Sequence, residues 1–144
     1  MAKPRAKHLF IYTDGASRGN PGDASIGVVI KNDRHEIIET VSQYLGIATN
    51  NKAEYIALIR ALEEAKKFHP IAVNFYLDSQ LVVRQITGQY KVKDAGLIPL
   101  HRQAKTLYGQ YEQASISHIP REENNEADAL ANEALDKQKI KGII

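Results

Sequence analysis

Near residue 50 the hydrophobic periodicity of this chain changes, and that change limits the folds open to it. Upstream, apolar and β-branched residues fall in three short runs, 8–13, 25–31 and 36–44. The first halts at Asp14-Gly15, a turn dipeptide, and a loop over 15–23 carries Gly19-Asn20-Pro21-Gly22. Polar Asn32-Asp33-Arg34 joins the second run to the third, so the opening third reads as an antiparallel meander. Downstream, apolar residues recur at Ala57, Leu58, Ala61, Leu62 and Ala65, the helical spacing, in a segment 51–68 that Pro70 closes. Residues 71–77 form a near-continuous apolar strand of the kind covered on both faces. A short helix over 80–86, a link containing Gly88, a helix over 98–111, a strand over 115–119 and a helix over 125–137 complete the pattern. The order β-β-β-α-β-α-α-β-α predicts one mixed sheet with helices on its faces, in a single α/β domain spanning 1–144. Segments 1–7 and 139–144 read as flexible or docking tails, the apolar 140–144 end either fraying or adding a strand.

Composition narrows the function classes. The 144 residues are 43% apolar and 25% charged, ordinary globular usage that excludes wholesale disorder. There is no cysteine, which removes disulfides, thiolate zinc sites and cysteine nucleophiles together. No stretch approaches a membrane span, and the start, basic but without an apolar core of secretory length, reads as cytosolic. A formal charge of +2 does not prove a polyanionic partner. Lys3, Arg5 and Lys7 at one end and Lys137, Lys139 and Lys141 at the other fit solubilising tails.

Four acids stand where packing would prefer something else. Asp14 and Asp78 close apolar runs, which also fits turn chemistry for the first and helix capping for the second. Glu54 fits a capping box opened by Asn51, yet Ala57, Leu58 and Ala61 continue its face toward the sheet. Asp128, with Asn125 as cap, shares a face with Ala131 and Leu135 in the same way. Each acid alone has an ordinary explanation. Together they place two carboxylates at strand C-termini and two near helix N-termini, where open α/β sheets build their sites. Buried charges are costly unless compensated, and an all-oxygen set selects a hard cation such as Mg²⁺. Two ions roughly 3.5–4 Å apart are the arrangement used for in-line phosphodiester displacement, so metal-assisted phosphodiester hydrolysis is the leading chemistry.

Thr13-Asp14-Gly15-Ala16 with Gly19-Asn20-Pro21-Gly22, Thr49-Asn50-Asn51-Lys52-Ala53-Glu54, Leu77-Asp78-Ser79-Gln80, and Asn124 through Asp128 to Ala131 resemble type 1 ribonuclease H over nearly the whole chain. The resemblance implies the ribonuclease H-like fold: a five-stranded mixed sheet, three antiparallel strands then two parallel, with helices on both faces. It implies a monomeric endonuclease that cleaves RNA in RNA/DNA hybrids, leaving 5′-phosphate and 3′-hydroxyl ends with water as nucleophile. Asp14, Glu54, Asp78 and Asp128 would be the catalytic, metal-binding acids, with Mg²⁺ preferred and Mn²⁺ often accepted. Asn20, Asn50 and Gln80 would reach the minor groove, and Thr49 and Asn51 would hold the DNA strand. Short amides suit that task because they both donate and accept, although the same residues also suit loops and caps.

Two departures matter. The basic, tryptophan-bearing protrusion of many relatives is missing: 87–100 is short and the chain has no Trp. Lys91, Lys93, Arg102 and Lys105 remain, either as a weaker phosphate grip or as solvated helix residues. The auxiliary residue beside the acids, a His in many relatives, is either His118 or Arg121; Arg121 in Pro-Arg-Glu resembles shorter members and is preferred. Cleavage of double-stranded RNA, as in similar short members, stays open as a side activity. A degenerate domain that only binds nucleic acid would be expected to have lost an acid, and none is missing.

Overall fold

In a computed structural model, which describes residues 7–143, the first strand does not stop at the Asp14-Gly15 dipeptide. β1 (His8–Gly19) runs through it, because residues 15–19 keep pairing with the start of β2 (Gly22–Lys31). The turn is Gly19 to Gly22, where Gly19 takes φ 134° and supplies the positive φ expected of a turn glycine. β3 (Ile37–Ala48) completes the meander, longer than its apolar run suggests and irregular opposite Ala24 and Ser25. Then come α1 (Asn50–Ala65), a 3₁₀ turn Lys66–Phe68, β4 (Ala72–Leu77), α2 (Gln80–Ile86), α3 (Ile98–Tyr108), β5 (Gln113–His118), a 3₁₀ turn Arg121–Glu123 and α4 (Asn125–Ile143). The helix expected over 125–137 therefore continues to Ile143, and the apolar end is helical as far as it is described. Lys3 and Arg5 lie outside the described residues.

The five strands form one mixed sheet in the order β3-β2-β1-β4-β5. β1, β2 and β3 are antiparallel; β4 joins β1, and β5 joins β4, in parallel. Strand alternation sends Leu9 and Ile11 of β1, with Val28 and Ile30 of β2 and Val73, Phe75 and Leu77 of β4, to one face, where α1 covers them with Tyr55, Leu58 and Leu62. These side chains are fully buried and form the main core. α4 lies on the opposite face, mostly across β2, β1 and β3.

Two glycines set how closely the helices approach. A Cβ on Gly15 would lie 2.2 Å from the backbone carbon of Ala53 in α1, and a Cβ on Gly27 would lie 2.0 Å from the carbonyl oxygen of Ala127 in α4. Gly27 pairs with Asp14, and Gly15 with Ile26. Both helices thus dock, from opposite faces, at the same register of the central strands. That register is also where the parallel pair ends: Thr13 is level with Leu77, so Asp14 and Asp78 leave the two strands side by side.

Candidate active site

The close approach at Gly15 decides what Glu54 does. Helix α1 is capped by Thr49, whose hydroxyl accepts from Lys52 N at 3.3 Å, so Asn51 is not the cap and the capping box does not form. Glu54 instead turns to the sheet and accepts from the Gly15 amide at 2.5 Å through Oε1. Its Oε2 is buried and no donor reaches it. Asp78 is not a cap either, since Ser79 caps α2 by accepting from Val82 N at 3.3 Å. On α4 the helix begins at Asn125, and the Asn124 carbonyl accepts from Asp128 N at 3.1 Å.

Asp14, Glu54 and Asp78 each bring one carboxylate oxygen within 4.8 Å of the others. Asp14 is 5% and Glu54 3% exposed, too buried for water to compensate three charges. Asp128, half-buried, lines the same cleft just outside this tight group. The crowding shows in the acidities. Burial first, then the neighbouring Glu54 and Asp78 charges, push the Asp14 carboxyl well above its usual range. Burial and the charge of Asp78 raise Glu54, against a lowering by hydrogen bonds from Asp14 and the Gly15 amide. Asp78 is also raised by burial, while a hydrogen bond from Asn124 and the Arg121 charge pull it down. Hydrogen bonding between Asp14 and Glu54 needs a retained proton, as expected of like charges sharing one site.

The donor set fits a hard divalent cation. It offers only carboxylate oxygens, two of the three closest carboxylates are buried, and one of their oxygens is left without any donor.

Arg121, exposed in the turn before α4, lines the cleft, while His118, exposed at the end of β5, is not among the residues lining it. Of the remaining candidates, Asn50 lines the cleft, and its backbone amide donates to Asn20 Oδ1 at 3.1 Å, tying the hairpin turn to the start of α1. Thr49 serves as the cap just described, and Asn51 and Gln80 are exposed near the N-termini of α1 and α2 without lining the cleft. Lys91, Lys93, Arg102 and Lys105 are exposed along the α2–α3 link and α3.

Three residues at the site were given no role from the sequence, although Asn124 opens the fourth motif. Asn124, 1% exposed, donates through Nδ2 to the Thr13 carbonyl at 2.8 Å and so ties the approach to α4 to the strand that carries Asp14. Arg18 and Asn132 both line the cleft, and Asn132 Nδ2 donates to the Asp128 carbonyl at 3.0 Å. A signal did exist for the packing: Gly27, in an otherwise apolar strand, marks a close backbone approach.

Comparison with known proteins bears on this geometry. A family model described as "Reverse transcriptase-like" matches residues 12–134. The chain is 45% identical over 132 residues, 92% of its length, to the ribonuclease HI of Halobacterium salinarum. It is 42% identical over 129 residues to a bifunctional protein of Mycobacterium tuberculosis. It spans 66% of the length of the first and 35% of the second. The crystal structure of the Halobacterium RNase H1 superposes with a TM-score of 0.87, covering 90% of this chain and 98% of that one. The structure of LC11-RNase H1 in complex with an RNA/DNA hybrid, 44% identical, superposes at 0.86 over 90% of this chain and 98% of that one.

Proposed function

This chain belongs to the type 1 ribonuclease H family, in the short form without a basic protrusion, and from that premise we propose that it hydrolyses the RNA strand of RNA/DNA hybrids as a metal-dependent endonuclease. One observation carries the proposal. Three carboxylates from β1, α1 and the end of β4 converge with a buried oxygen that has no donor, an arrangement that a divalent cation would compensate.

Asp14, Glu54, Asp78 and Asp128 hold Mg²⁺, with Mn²⁺ accepted. Two ions supply, when bound, Lewis-acid polarisation of the phosphoryl group and a lowered pKa for the attacking water. The chain's own groups do the rest. The Gly15 amide holds one oxygen of Glu54 and leaves the second buried without a donor. Asn124 holds β1 at Thr13 against the segment entering α4 and keeps Asp78 more acidic than burial alone would allow. Arg121, the auxiliary residue, places a guanidinium near Asp78 where it can engage the phosphate being released.

Water attack with departure of the ribose 3′-oxygen leaves a 5′-phosphate and a 3′-hydroxyl. Asn20, Asn50 and Gln80 read the minor groove, and Thr49 and Asn51 hold the DNA strand, with the Asn20–Asn50 contact pre-ordering part of that surface. Lys91, Lys93, Arg102 and Lys105 give a weak grip on phosphates. A hybrid complex of the LC11 relative supports the choice of substrate. The enzyme acts as one domain and as a monomer in the cytoplasm; among the described residues no helix is long and apolar enough to cross a membrane.

The test is strand-specific. A hybrid labelled on each strand in turn is incubated with the protein and Mg²⁺, beside double-stranded RNA and DNA of the same sequence. Internal cuts confined to RNA, with ends that accept 3′-extension, are the expected result, double-stranded RNA being cut more slowly. Binding of the hybrid without cleavage under every divalent metal would instead assign a binding module.

A further inference from the structure

Beyond the acids and Arg121, the cleft is lined by one other guanidinium, that of Arg18. Arg18 alternates with Asp14 and Ala16 on β1 and therefore faces the side of the sheet covered by α4. There its Nη2 donates to Asp136 Oδ1 at 2.6 Å, about two turns beyond Asp128 on the same helix. The pair bridges the hairpin to α4 along the cleft's flank, and both side chains are open to solvent, 42% and 63% exposed.

An ion pair so exposed contributes little to stability and is readily exchanged. A guanidinium carries five donors in a fork that matches a phosphate, and the contact with Asp136 uses one nitrogen. A cation on the wall of a cleft floored by carboxylates also stands where a polyanionic strand entering that cleft needs compensation.

We propose that Arg18 is a contact for a backbone phosphate of the cleaved strand, and that Asp136 holds and masks it in the free protein. The inference rests on the nucleic-acid reading of the site given above. It assigns to Asp136 a role opposite to that of a stabilising surface residue: loss of its charge frees Arg18 and strengthens binding.

The test measures hybrid binding by fluorescence anisotropy in EDTA, where cleavage does not interfere, across a series of salt concentrations. Arg18→Ala is expected to bind about tenfold more weakly at low salt, the scale of one charge-assisted hydrogen bond. It should also lower the slope of log affinity against log salt by about 1, as loss of one phosphate contact requires. Arg18→Lys should keep most of that slope. Asp136→Asn is expected to bind about two- to fivefold more tightly, matching the small strength of an exposed ion pair. In the Arg18→Ala background that gain should vanish.

A gain of equal size in both backgrounds would mean that Asp136 acts only through long-range charge, and would overturn the masking role. An unchanged salt slope in Arg18→Ala would overturn the phosphate contact. Failure of the unaltered protein to bind hybrid would overturn the nucleic-acid reading itself, a result distinct from either. With Mg²⁺ present, the Arg18→Ala loss should fall mainly on KM.

Discussion

The Gly15 amide donates to Glu54 Oε1 at 2.5 Å across a gap in which a Cβ on residue 15 would lie 2.2 Å from the Ala53 carbonyl carbon. The hydrogen bond exists because the strand and the helix touch backbone to backbone, and only glycine permits that.

Gly15→Ala should therefore do two things at once. Overpacking against rigid backbone costs about 1–3 kcal/mol or more, because neither β1 nor α1 can yield cheaply. The displaced helix also takes Glu54 out of register with Asp14. Thermal unfolding and hybrid cleavage, measured on the same preparation, should both fall. Loss of stability with full activity would show that Glu54 does not need this docking. Gly27→Ala, with its Cβ 2.0 Å from the Ala127 carbonyl oxygen, should act similarly through Asp128.

The carboxyls raised by burial give the metal-free protein a pH dependence of definite sign. Asp14, Glu54 and Asp78 all have folded acidities weaker than their unfolded ones. Between the unfolded value, about 4, and the folded values, the folded state holds more protons, so stability falls as pH rises through that window. In EDTA the melting temperature should drop from about pH 5 toward pH 9, and Asp14→Asn should flatten the drop. Mg²⁺ should restore stability most at the alkaline end, where no proton competes for the ligands. A profile rising over this range, or one unaffected by Asp14→Asn, would contradict the crowded-carboxylate account.

Asn124 offers a second probe of the same site. Replacing it by Ala leaves the Thr13 carbonyl without its donor at a fully buried position, costing about 1–3 kcal/mol. It also removes the hydrogen bond that holds the Asp78 pKa down against burial. The Mg²⁺ concentration giving half-maximal cleavage should increase, and more at pH 6 than at pH 8. Equal metal requirements for Asn124→Ala and the unaltered protein would confine Asn124 to a purely structural part.

Arg121 and His118 separate cleanly. Arg121→Ala should slow single-turnover cleavage by roughly tenfold or more, whereas His118→Ala, altering an exposed residue at the end of β5, should leave the rate essentially unchanged. The reverse ranking would transfer the auxiliary role to His118.

The element order was readable from periodicity, and α2 was placed at its observed limits, because apolar spacing reports burial directly. Local rules failed where tertiary contact overrode them. Asp14-Gly15 obeys turn statistics, but Gly15 is needed in a strand so that α1 can approach. Asn51 is a competent cap, yet Thr49 takes that role while Asn20 takes the Asn50 amide. α4 outran its apolar stripe because no proline interrupts it before Ile143. The acids could be singled out as residues that packing would not choose. The contacts of Asn124, a residue of the fourth motif, and of Arg18 could not, since a buried amide reaching a strand carbonyl and a cation held by a distant aspartate have no local signature.

The central claim, that these carboxylates form a metal-dependent phosphodiesterase site, is tested most directly by one comparison. Single-turnover cleavage of a labelled RNA/DNA hybrid in Mg²⁺ is measured for the protein and for Asp14→Asn, which keeps the size of the side chain and removes its charge. The expected result is RNA cleavage by the first, abolished by EDTA, and a loss of at least about a hundredfold in the second. Equal rates for the two, or cleavage that persists in EDTA, would contradict it.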